Sequence, residues 1–264
     1  LGGVSENTLK AFRSDLRVLG RYVGYNKPVG TFATEDLNDF LHWLLYDRGV
    51  PCSPKSYARR VTTLKHFFGF LYDEGAIPHN PADAVIHQPA ASPLPDILYE
   101  GEIRRVLEAT EAMRAGPAKP DARPHLLVTL LLQTGIKKGE CMALQPGHID
   151  STNPNQPILW VRYTNPRLRY KERKIKLHPS WPLVLDEYLA QYQPPDVIFN
   201  CSARNLEYVL DNVANAAGVP RKKLSFETLR WTCAVRDYLE GMEPEHLRQK
   251  LGLSRVSWRE TYPK

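Results

Sequence analysis

The chain has 264 residues, a formal net charge of +6 at pH 7 and a hydrophobic fraction of 42% that is ordinary for a folded protein. This length allows two modest hydrophobic cores, so we expect two domains. No stretch approaches the roughly 18 uninterrupted apolar residues of a membrane helix, and the N-terminus has no basic patch followed by an apolar segment. We therefore expect a soluble, cytoplasmic protein with no membrane partner.

The cysteines and histidines show no spacing that favours a metal site or a disulfide framework. The cysteines are Cys52, Cys141, Cys201 and Cys233, and no two of them form a C-x-x-C pair. The eight histidines are equally scattered. We expect reduced thiols, no bound metal and chemistry that does not need one.

Three amphipathic helices are predicted in the N-terminal part of the chain. Apolar residues recur at steps of three or four behind Ser5, which predicts a helix over residues 5–23. Thr34 is a candidate N-cap for a second helix. Ser53 followed by Pro54 is a candidate cap with a first-turn proline, and it predicts a third helix that ends near residue 74.

Several basic residues of the third helix lie outside its apolar stripe. They are Lys55, Arg59, Arg60 and Lys65. A basic face of this kind fits the phosphate backbone of a nucleic acid. It fits an ordinary solvent-exposed helix as well, so the sequence leaves both interpretations open.

A proline-rich segment separates the two predicted domains. Residues 86–95 contain three prolines and no charged side chain, a composition that disfavours helix and strand alike. We predict a first domain over residues 1–85, a linker over residues 86–95 and a second domain over residues 96–264.

The second domain is predicted to be helical with one β-hairpin. Its expected helices cover residues 99–115, 124–134, 137–144, 181–192, 204–217 and 225–240. The expected strands cover residues 158–163 and 173–177. Gly135 is expected to end the helix that precedes it.

The turn between the two strands is strongly basic. Residues 162–176 include seven basic side chains and a single acid, Glu172. This clustering favours an anionic partner, but a solvated hairpin face carries such charges too.

Five segments follow one another in a recognisable order. They cover residues 5–16, 66–82, 132–144, 227–230 and 251–262. Together they resemble the tyrosine recombinase (phage integrase) family over nearly the whole chain; in that family a short helix usually separates an L-G-H-S turn from the catalytic tyrosine. The resemblance implies a mainly α fold with a small β-hairpin or sheet, in which a helical core-binding (SAM-like) domain precedes an α+β catalytic-type domain.

The resemblance also implies a chemistry. In this family a tyrosine oxygen attacks a DNA phosphate and holds the strand as a 3′-phosphotyrosine, without a cofactor. Two arginines stabilise the non-bridging oxygens, and a lysine on the hairpin turn protonates the departing 5′ hydroxyl. The implied partner is double-stranded DNA, on which protomers form a tetramer at paired sites, and the implied location is the nucleoid within the cytoplasm.

Two of the family's catalytic positions match and four differ. Tyr262 takes the place of the nucleophile, and Arg230 takes that of the second arginine. Lys137 stands in place of the first arginine, which keeps the charge but loses the planar fork. Glu227 and Leu253 stand in place of two histidine-type residues.

The hairpin lysine is the fourth altered position. Leu168 aligns with it, and Arg167, Arg169 and Lys171 are neighbours of which Lys171 is the best substitute. Arg167, Arg169 and Arg173 are also predicted to contact DNA.

Three further residues have two interpretations each. Glu140 either orients the segment around Lys137 or lies on a helix surface. Trp231 and Trp258 either stack near a sugar-phosphate or pack in a core, and the large apolar area of indole favours packing.

The altered positions leave two functions open. The first is an active site-specific recombinase or integrase in which Lys137 and Lys171 replace the usual residues. The second is a recombinase-fold DNA-binding protein with impaired chemistry that acts as an accessory or regulatory factor. A helical protein in which Tyr262 merely packs is a further alternative, but it would make the ordered motifs a coincidence.

Overall fold

The computed structural model describes residues 6–86, 94–116 and 119–261. It divides the chain into two units, Leu1–Pro93 and Leu94–Lys264, each with its own hydrophobic core. Most of the predicted linker, residues 87–93, lies outside the described residues, as do Ser5 and Tyr262.

Within residues 6–86, the N-terminal unit contains three long helices. They are α1 (Glu6–Val23), α2 (Thr34–Tyr46) and α3 (Pro54–Asp73). All three predicted helices are therefore confirmed. Ser53 caps α3 as predicted, because its side chain accepts a hydrogen bond from the N–H of Ser56 at 3.2 Å.

The predicted cap of α2 is wrong by one residue. Thr34 is the first helical residue, and its hydroxyl donates to the carbonyl oxygen of Pro81 at 2.9 Å. The N-cap is Ala33, whose N–H donates to the carboxylate of Asp36 at 2.9 Å. An acid in the first turn satisfies the backbone donor, as in the second half of a capping box.

A buried carboxylate joins α1 to α3. Asp15 is 4% exposed, and its oxygens accept hydrogen bonds from the guanidinium of Arg59 at 2.7 and 2.8 Å and from the hydroxyl of Thr63 at 3.1 Å. Nε of Arg60 lies 3.4 Å from the same carboxylate. Nη1 of Arg60 donates to Sγ of Cys52 at 2.8 Å.

These contacts correct the predicted basic face of α3. The side chain of Arg60 is 11% exposed and belongs to the interior. Arg59 directs its fork to Asp15, although 42% of its side chain remains exposed. Lys55 and Lys65 are exposed as expected. The pattern of α3 alone could not reveal that α1 places an acid beside it.

The C-terminal unit contains eight further α-helices among the residues that the structure describes. They are α4 (Glu100–Arg114), α5 (Arg123–Thr134), α6 (Lys138–Met142), α7 (Trp181–Tyr192), α8 (Ala203–Ala216), α9 (Phe226–Leu239), α10 (Pro244–Lys250) and α11 (Arg255–Thr261). Helix α10 is not among the predicted helices. Helix α11 occupies the place of the short helix that the family resemblance implies before the tyrosine.

Helix α5 lies at the centre of the C-terminal core. It contacts α4, α7, α8 and α9, which explains why its sequence is apolar on nearly every side. As predicted, it ends at Gly135, which has a φ of +57°. A Cβ there would lie 2.9 Å from Cδ2 of Leu251, so a glycine allows the end of α5 to approach the segment after α10.

A small antiparallel sheet covers part of this core. Its strands are β1 (Ile149–Asp150), β2 (Ile158–Val161) and β3 (Arg173–Lys176), in the order β1-β2-β3. Leu159 pairs with Ile175 in the register, and both are buried. β1 was not predicted, because two residues give no alternation. The expected mainly α fold with a small sheet is confirmed.

Candidate functional site

A buried glutamate lies at the centre of the candidate site. Glu140 is 6% exposed in the short helix α6. Its carboxylate accepts hydrogen bonds from the guanidinium of Arg173 at 3.0 and 2.8 Å, and another from the hydroxyl of Tyr163. Burial raises the pKa of Glu140, but the hydrogen bonds and charge of Arg173 outweigh burial and hold this pKa below its ordinary value. The helix-surface interpretation of Glu140 is therefore wrong.

Backbone geometry places Lys137 beside this glutamate. Helix α5 ends at Gly135, and Lys137 becomes the N-cap residue of α6. The backbone N–H of Lys137 donates to the carboxylate of Glu140 at 2.8 Å. At its other end, Nζ of Lys137 donates to the carbonyl oxygen of Gly252 at 2.8 Å. The residue is thus held at both its main chain and its amine.

The ammonium of Lys137 has an altered acidity. Burial lowers the pKa of Lys137 to about 8, while the charge of Glu140 opposes the shift. The positive charges of Arg230, Lys171 and Arg173 lower this pKa further. Lys137 is therefore charged at neutral pH and loses its charge in mildly alkaline solution.

Arg230 reaches the same turn from helix α9. It is 7% exposed. Its Nη1 donates to the carbonyl oxygen of Gly135, and its Nη2 donates to that of Leu251 at 2.6 Å. Burial lowers the pKa of Arg230 to about 10, so the guanidinium stays charged at pH 7. Because Leu251 and Gly252 are consecutive, Arg230 and Lys137 converge on neighbouring peptide oxygens.

Arg173 belongs to the interior of this cluster. Its side chain is 8% exposed. In addition to its fork on Glu140, Nε donates to the carbonyl oxygen of Lys250 at 2.6 Å, and Nη1 donates to that of Lys171 at 3.1 Å. The prediction that Arg173 contacts DNA does not fit this burial, and an internal ion pair replaces it.

The turn after α10 connects the cluster to the predicted nucleophile. Gly252 in this turn has a φ of +58°, a backbone conformation that favours glycine. Helix α11 begins three residues later and ends immediately before Tyr262. Tyr262 itself lies outside the described residues.

The basic turn between β2 and β3 is a 3-10 helix, Pro166–Lys171. Arg167 and Arg169 are exposed on it. Lys171 is half-buried, and its charge contributes to the lowered pKa of Lys137. Lys171, one of the three candidate replacements for the hairpin lysine, therefore lies close enough for its charge to act on the cluster.

Two altered positions have structural roles of their own. Leu253 packs with Trp231 and Trp258 against a small apolar cluster at α10. The packing interpretation of the two tryptophans therefore agrees with the structure. Glu227 is exposed in the first turn of α9, where a carboxylate stabilises the positive end of the helix dipole.

No arrangement for a metal is present within residues 6–86, 94–116 and 119–261, since no group of three or more His, Cys, Asp and Glu side chains could hold an ion there. No helix in the same ranges is long and apolar enough to cross a membrane.

The charges of the cluster suit an anion. Glu140 forms an ion pair with Arg173, and its charge also acts on Lys137 and Arg230, whose side chains donate to backbone carbonyl oxygens. Positive charge removed from water is unfavourable unless it is paired. Phosphate oxygens accept hydrogen bonds from guanidinium and ammonium groups more strongly than neutral carbonyl oxygens do. A phosphate could therefore replace the carbonyl oxygens of Leu251 and Gly252 as the acceptor for Arg230 and Lys137.

Sequence comparisons find tyrosine recombinases among the proteins similar to this chain. Residues 2–75 match the family model of the phage integrase N-terminal SAM-like domain. The chain is 23% identical over 281 residues to tyrosine recombinase XerD of Listeria innocua, covering 98% of this chain and 88% of that protein. It is 26% identical over 275 residues to tyrosine recombinase XerC of a Roseiflexus species, covering 98% and 83%. The chain is thus similar to tyrosine recombinases over nearly its whole length.

Solved structures of this family share the fold. XerH recombinase, in a post-cleavage complex with a palindromic difH substrate, aligns with a TM-score of 0.76 and 19% identity, over 96% of this chain and 75% of that one. Lambda integrase, as a dimer bound to a COC′ core site, aligns with a TM-score of 0.71 and 17% identity, over 98% and 89%. The expected SAM-like domain followed by a recombinase-type domain is confirmed.

The structure brings together part of the predicted catalytic set. Lys137, Arg230 and Lys171 face one cluster, whereas Glu227 is exposed in the first turn of α9 and Leu253 lies in apolar packing. The predicted DNA contacts Lys55, Arg59, Arg60 and Lys65 all belong to the N-terminal unit.

Sequence reasoning missed the partners of Glu140. The position of this glutamate three residues after Lys137 is a local signal of the kind found in capping boxes. Tyr163 and Arg173 have no such signal, because their contacts with Glu140 span 23 and 33 residues of sequence. Only the fold brings them together.

Proposed function

We propose that the protein is a site-specific recombinase or integrase that cleaves and rejoins double-stranded DNA through a 3′-phosphotyrosine at Tyr262. In the cleavage step, the tyrosine oxygen forms a bond to phosphorus, and the bond from phosphorus to the 5′ oxygen breaks. The phenol loses its proton, and the departing 5′ oxygen gains one. The bond energy stays in the protein-DNA link, so the proposal requires no cofactor.

One observation carries the proposal. Nζ of Lys137 and Nη2 of Arg230 lie 2.8 and 2.6 Å from the carbonyl oxygens of Gly252 and Leu251, at the turn that leads into α11 and Tyr262. Two desolvated cations are thus collected next to the segment that carries the nucleophile. In the proposed complex they hold the non-bridging phosphate oxygens.

Lys171 is the proposed proton donor for the departing 5′ hydroxyl. It lies at the end of the basic turn, and its charge acts on Lys137. Leu168, at the aligned position, has no titratable group and cannot serve this role. Replacing the guanidinium of the first arginine by Lys137 gives a slower enzyme, because the loss of a single preorganised donor costs about a hundredfold in rate.

Lys55, Lys65, Arg167 and Arg169 are the proposed DNA backbone contacts. Each is exposed, and together they contribute positive charge from both units. By analogy with the family, protomers are proposed to assemble as a tetramer on paired sites, and the protein to act at the nucleoid.

A second candidate function is supported by a specific observation. Leu253 is packed in an apolar cluster and Leu168 lies at the aligned lysine position, so neither supplies the polar group of the family. A recombinase-fold protein that binds DNA without cutting it, as an accessory or regulatory factor, is consistent with both substitutions.

Trapping of a covalent intermediate distinguishes the two functions. The protein is mixed with a pool of nicked duplex fragments prepared from the genomic DNA of its source organism, denatured, and examined for DNA that remains attached. The nick allows the short leaving strand to diffuse away, so even slow cleavage accumulates. Tyr262→Phe is the matched control, because it removes only the nucleophilic oxygen.

We expect adducts with the parent protein and none with Tyr262→Phe, and sequencing of the captured DNA then identifies the site. If the parent protein binds the fragments in native gels but forms no adduct, the enzyme proposal fails and the accessory function replaces it. Adducts that persist in the Phe variant would exclude Tyr262 as the nucleophile.

A further inference from the structure

We propose that Arg173 is a positioning residue that fixes Lys137 and the turn of residues 250–252 relative to each other. This inference rests on the proposed function, because Lys137 and this turn are the groups proposed to meet the phosphate and to lead to Tyr262. Arg173 itself does not touch the DNA in this proposal.

The contacts of Arg173 join three segments that are distant in sequence. Its fork holds Glu140 in α6 at 2.8 and 3.0 Å. Its Nη1 donates to the carbonyl oxygen of Lys171 at 3.1 Å, where the basic turn ends. Its Nε donates to the carbonyl oxygen of Lys250 at 2.6 Å, where α10 ends. One rigid guanidinium therefore sets the separation of all three segments.

Lys137 depends on two of these segments. Its backbone N–H is held by Glu140, and its Nζ is held by the carbonyl oxygen of Gly252. Arg173 fixes the first support directly and the second through the neighbouring Lys250. A shift of the guanidinium would therefore move the ammonium of Lys137 away from its acceptor.

The packing of Gly252 is an independent observation. A Cβ at Gly252 would lie 2.7 Å from Nη1 and 2.9 Å from Cζ of Arg173. The turn and the guanidinium are therefore in direct contact with no room for a methyl group. This closeness is not needed to neutralise Glu140, and it indicates that the distance between Arg173 and the turn matters.

Charge neutralisation and positioning make different demands. Neutralising Glu140 needs only a cation, which a lysine supplies. Reaching Glu140, Lys171 and Lys250 at once needs several donors in a fixed plane, which a lysine lacks. Arg173→Lys therefore keeps the charge and removes the geometry.

The first readout separates positioning from DNA binding. Adduct formation on the captured nicked duplex is measured in single turnover for the full-length parent protein and for Arg173→Lys, over a range of DNA concentrations. We expect the rate at saturating DNA to fall roughly ten- to a hundredfold, as misplacement of a reacting group does. We expect the half-saturating DNA concentration to change by less than about twofold, because Arg173 is buried.

Arg114→Lys is the matched control. Arg114 lies in the same unit and directs its Nε and Nη2 to Glu187, both at 2.7 Å. The substitution likewise keeps a charge and removes a fork, but outside the cluster. It should leave both measured quantities unchanged.

The second readout does not depend on cleavage. Trace acetylation with acetic anhydride, measured by mass spectrometry, compares the reactivity of Lys137 with that of the exposed Lys176 in each protein. We expect Arg173→Lys to raise the relative acetylation of Lys137 about threefold or more, because the amine loses its acceptor and becomes more accessible. Arg114→Lys should leave it unchanged.

The outcomes separate the two proposals. If the parent protein forms no adduct, the proposed enzyme function fails, and the acetylation of Lys137 still decides the inference. Unchanged acetylation in Arg173→Lys overturns the inference, as does an unchanged rate where the parent protein cleaves. A change confined to the half-saturating DNA concentration would make Arg173 a DNA contact instead. If Arg173→Lys does not fold, Gly252→Ala tests the same contact from the other side, because its methyl group must displace the guanidinium while Arg173 and Glu140 both keep their charges.

Discussion

Each unit of the protein contains a buried carboxylate that binds arginine, and the two clusters differ in where their excess positive charge lies. Around Asp15, the side chain of Arg59 is 42% exposed, so water solvates part of it. Around Glu140, the side chain of Arg173 is 8% exposed, and burial lowers the pKa values of Lys137 and Arg230.

This difference distinguishes a structural clamp from a candidate site. Both Arg59 and the buried Arg60 lie within 3.4 Å of the carboxylate of Asp15, and water completes the hydrogen bonds of Arg59. Around Glu140, the buried Lys137 and Arg230 donate instead to backbone carbonyl oxygens, and an anion that reached these donors would bind them more strongly. An acid-arginine pair therefore joins two helices in one unit, whereas in the other it lies beside the cations of the proposed anion site.

Removing the carboxylate of Glu140 or that of Asp15 should produce the largest losses of stability, and the two losses should differ most. Glu140→Gln leaves Arg173 buried without a counterion, and breaking a buried pair in this way costs about 3–5 kcal/mol of unfolding free energy. Asp15→Asn should cost less, because Arg59 can turn its fork toward water and the buried Arg60 keeps its hydrogen bond to Cys52. Amide exchange of peptides from α5 and from α3, followed in a urea series, reports the stability of each unit separately.

Each variant is compared with the parent protein, and the unit without the substitution serves as the control. Glu140→Gln should leave the exchange of α3 unchanged, and Asp15→Asn should leave that of α5 unchanged. Similar losses in the two variants would show that the exposure of Arg59 does not protect its cluster, and the two clusters would then not differ in this respect.

Local patterns predicted the helices but not the cluster they form. Helical periodicity found α1 to α9, and Ser53 with Pro54 correctly marked the start of α3. Helix α10 was missed because its seven residues give too short a period to detect. Asp15 and Glu140, the buried acids beside Arg60 and Arg173, lie on other segments of the chain. No local sequence pattern therefore distinguished these two arginines from exposed cations.

The family motifs pointed to residues that the structure brings together, which periodicity could not do. They identified Lys137 and Arg230, which the structure brings to neighbouring carbonyl oxygens. They did not reveal why Leu253 is apolar, because its packing with Trp231 and Trp258 arises from the tertiary structure. Motif spacing thus predicts which residues meet, and the contacts show what each replacement does.

Alanine substitutions of two glycines, one in each unit, should have effects of intermediate size. Gly75 follows α3 in the N-terminal unit with a φ of +69° and open space where a Cβ would lie, whereas Gly252 has a φ of +58° and meets Arg173. An alanine at either position carries backbone strain of about 1–2 kcal/mol. Gly252→Ala should cost about 1–3 kcal/mol more, because it must displace a guanidinium that Glu140 and Lys250 hold in place.

Urea unfolding of the two variants, followed by the same peptides from each unit, measures this difference. Equal losses of stability would mean that Arg173 moves aside at little cost. The tight contact between the guanidinium and the turn would then have no energetic consequence, and the inferred positioning role would lose its second support.

The smallest predicted effect is a pH dependence that belongs to Lys137. Since burial lowers the pKa of Lys137 to about 8, its charge is present below that pH and is lost above it. If the charged ammonium holds the phosphate, adduct formation should fall about tenfold between about pH 7 and about pH 9, following the protonated fraction. In Lys137→Arg the guanidinium stays charged over this range, so the fall should disappear.

The ratio of the two pH profiles isolates this single group. All other titrating groups, including those of the DNA, are shared by the two proteins and cancel in the ratio. A tenfold fall in both proteins would assign the pH dependence to another group.

A flat profile in the parent protein would mean either that bound phosphate restores the ordinary pKa of Lys137 or that its charge is not used. Acetylation of Lys137 as a function of pH, with and without DNA, separates these two explanations, because only the first predicts a rise in its pKa on binding. The pH dependence of Lys137 therefore tests the proposed anion site, because it arises from the burial of an ammonium group that the cluster around Asp15 does not contain.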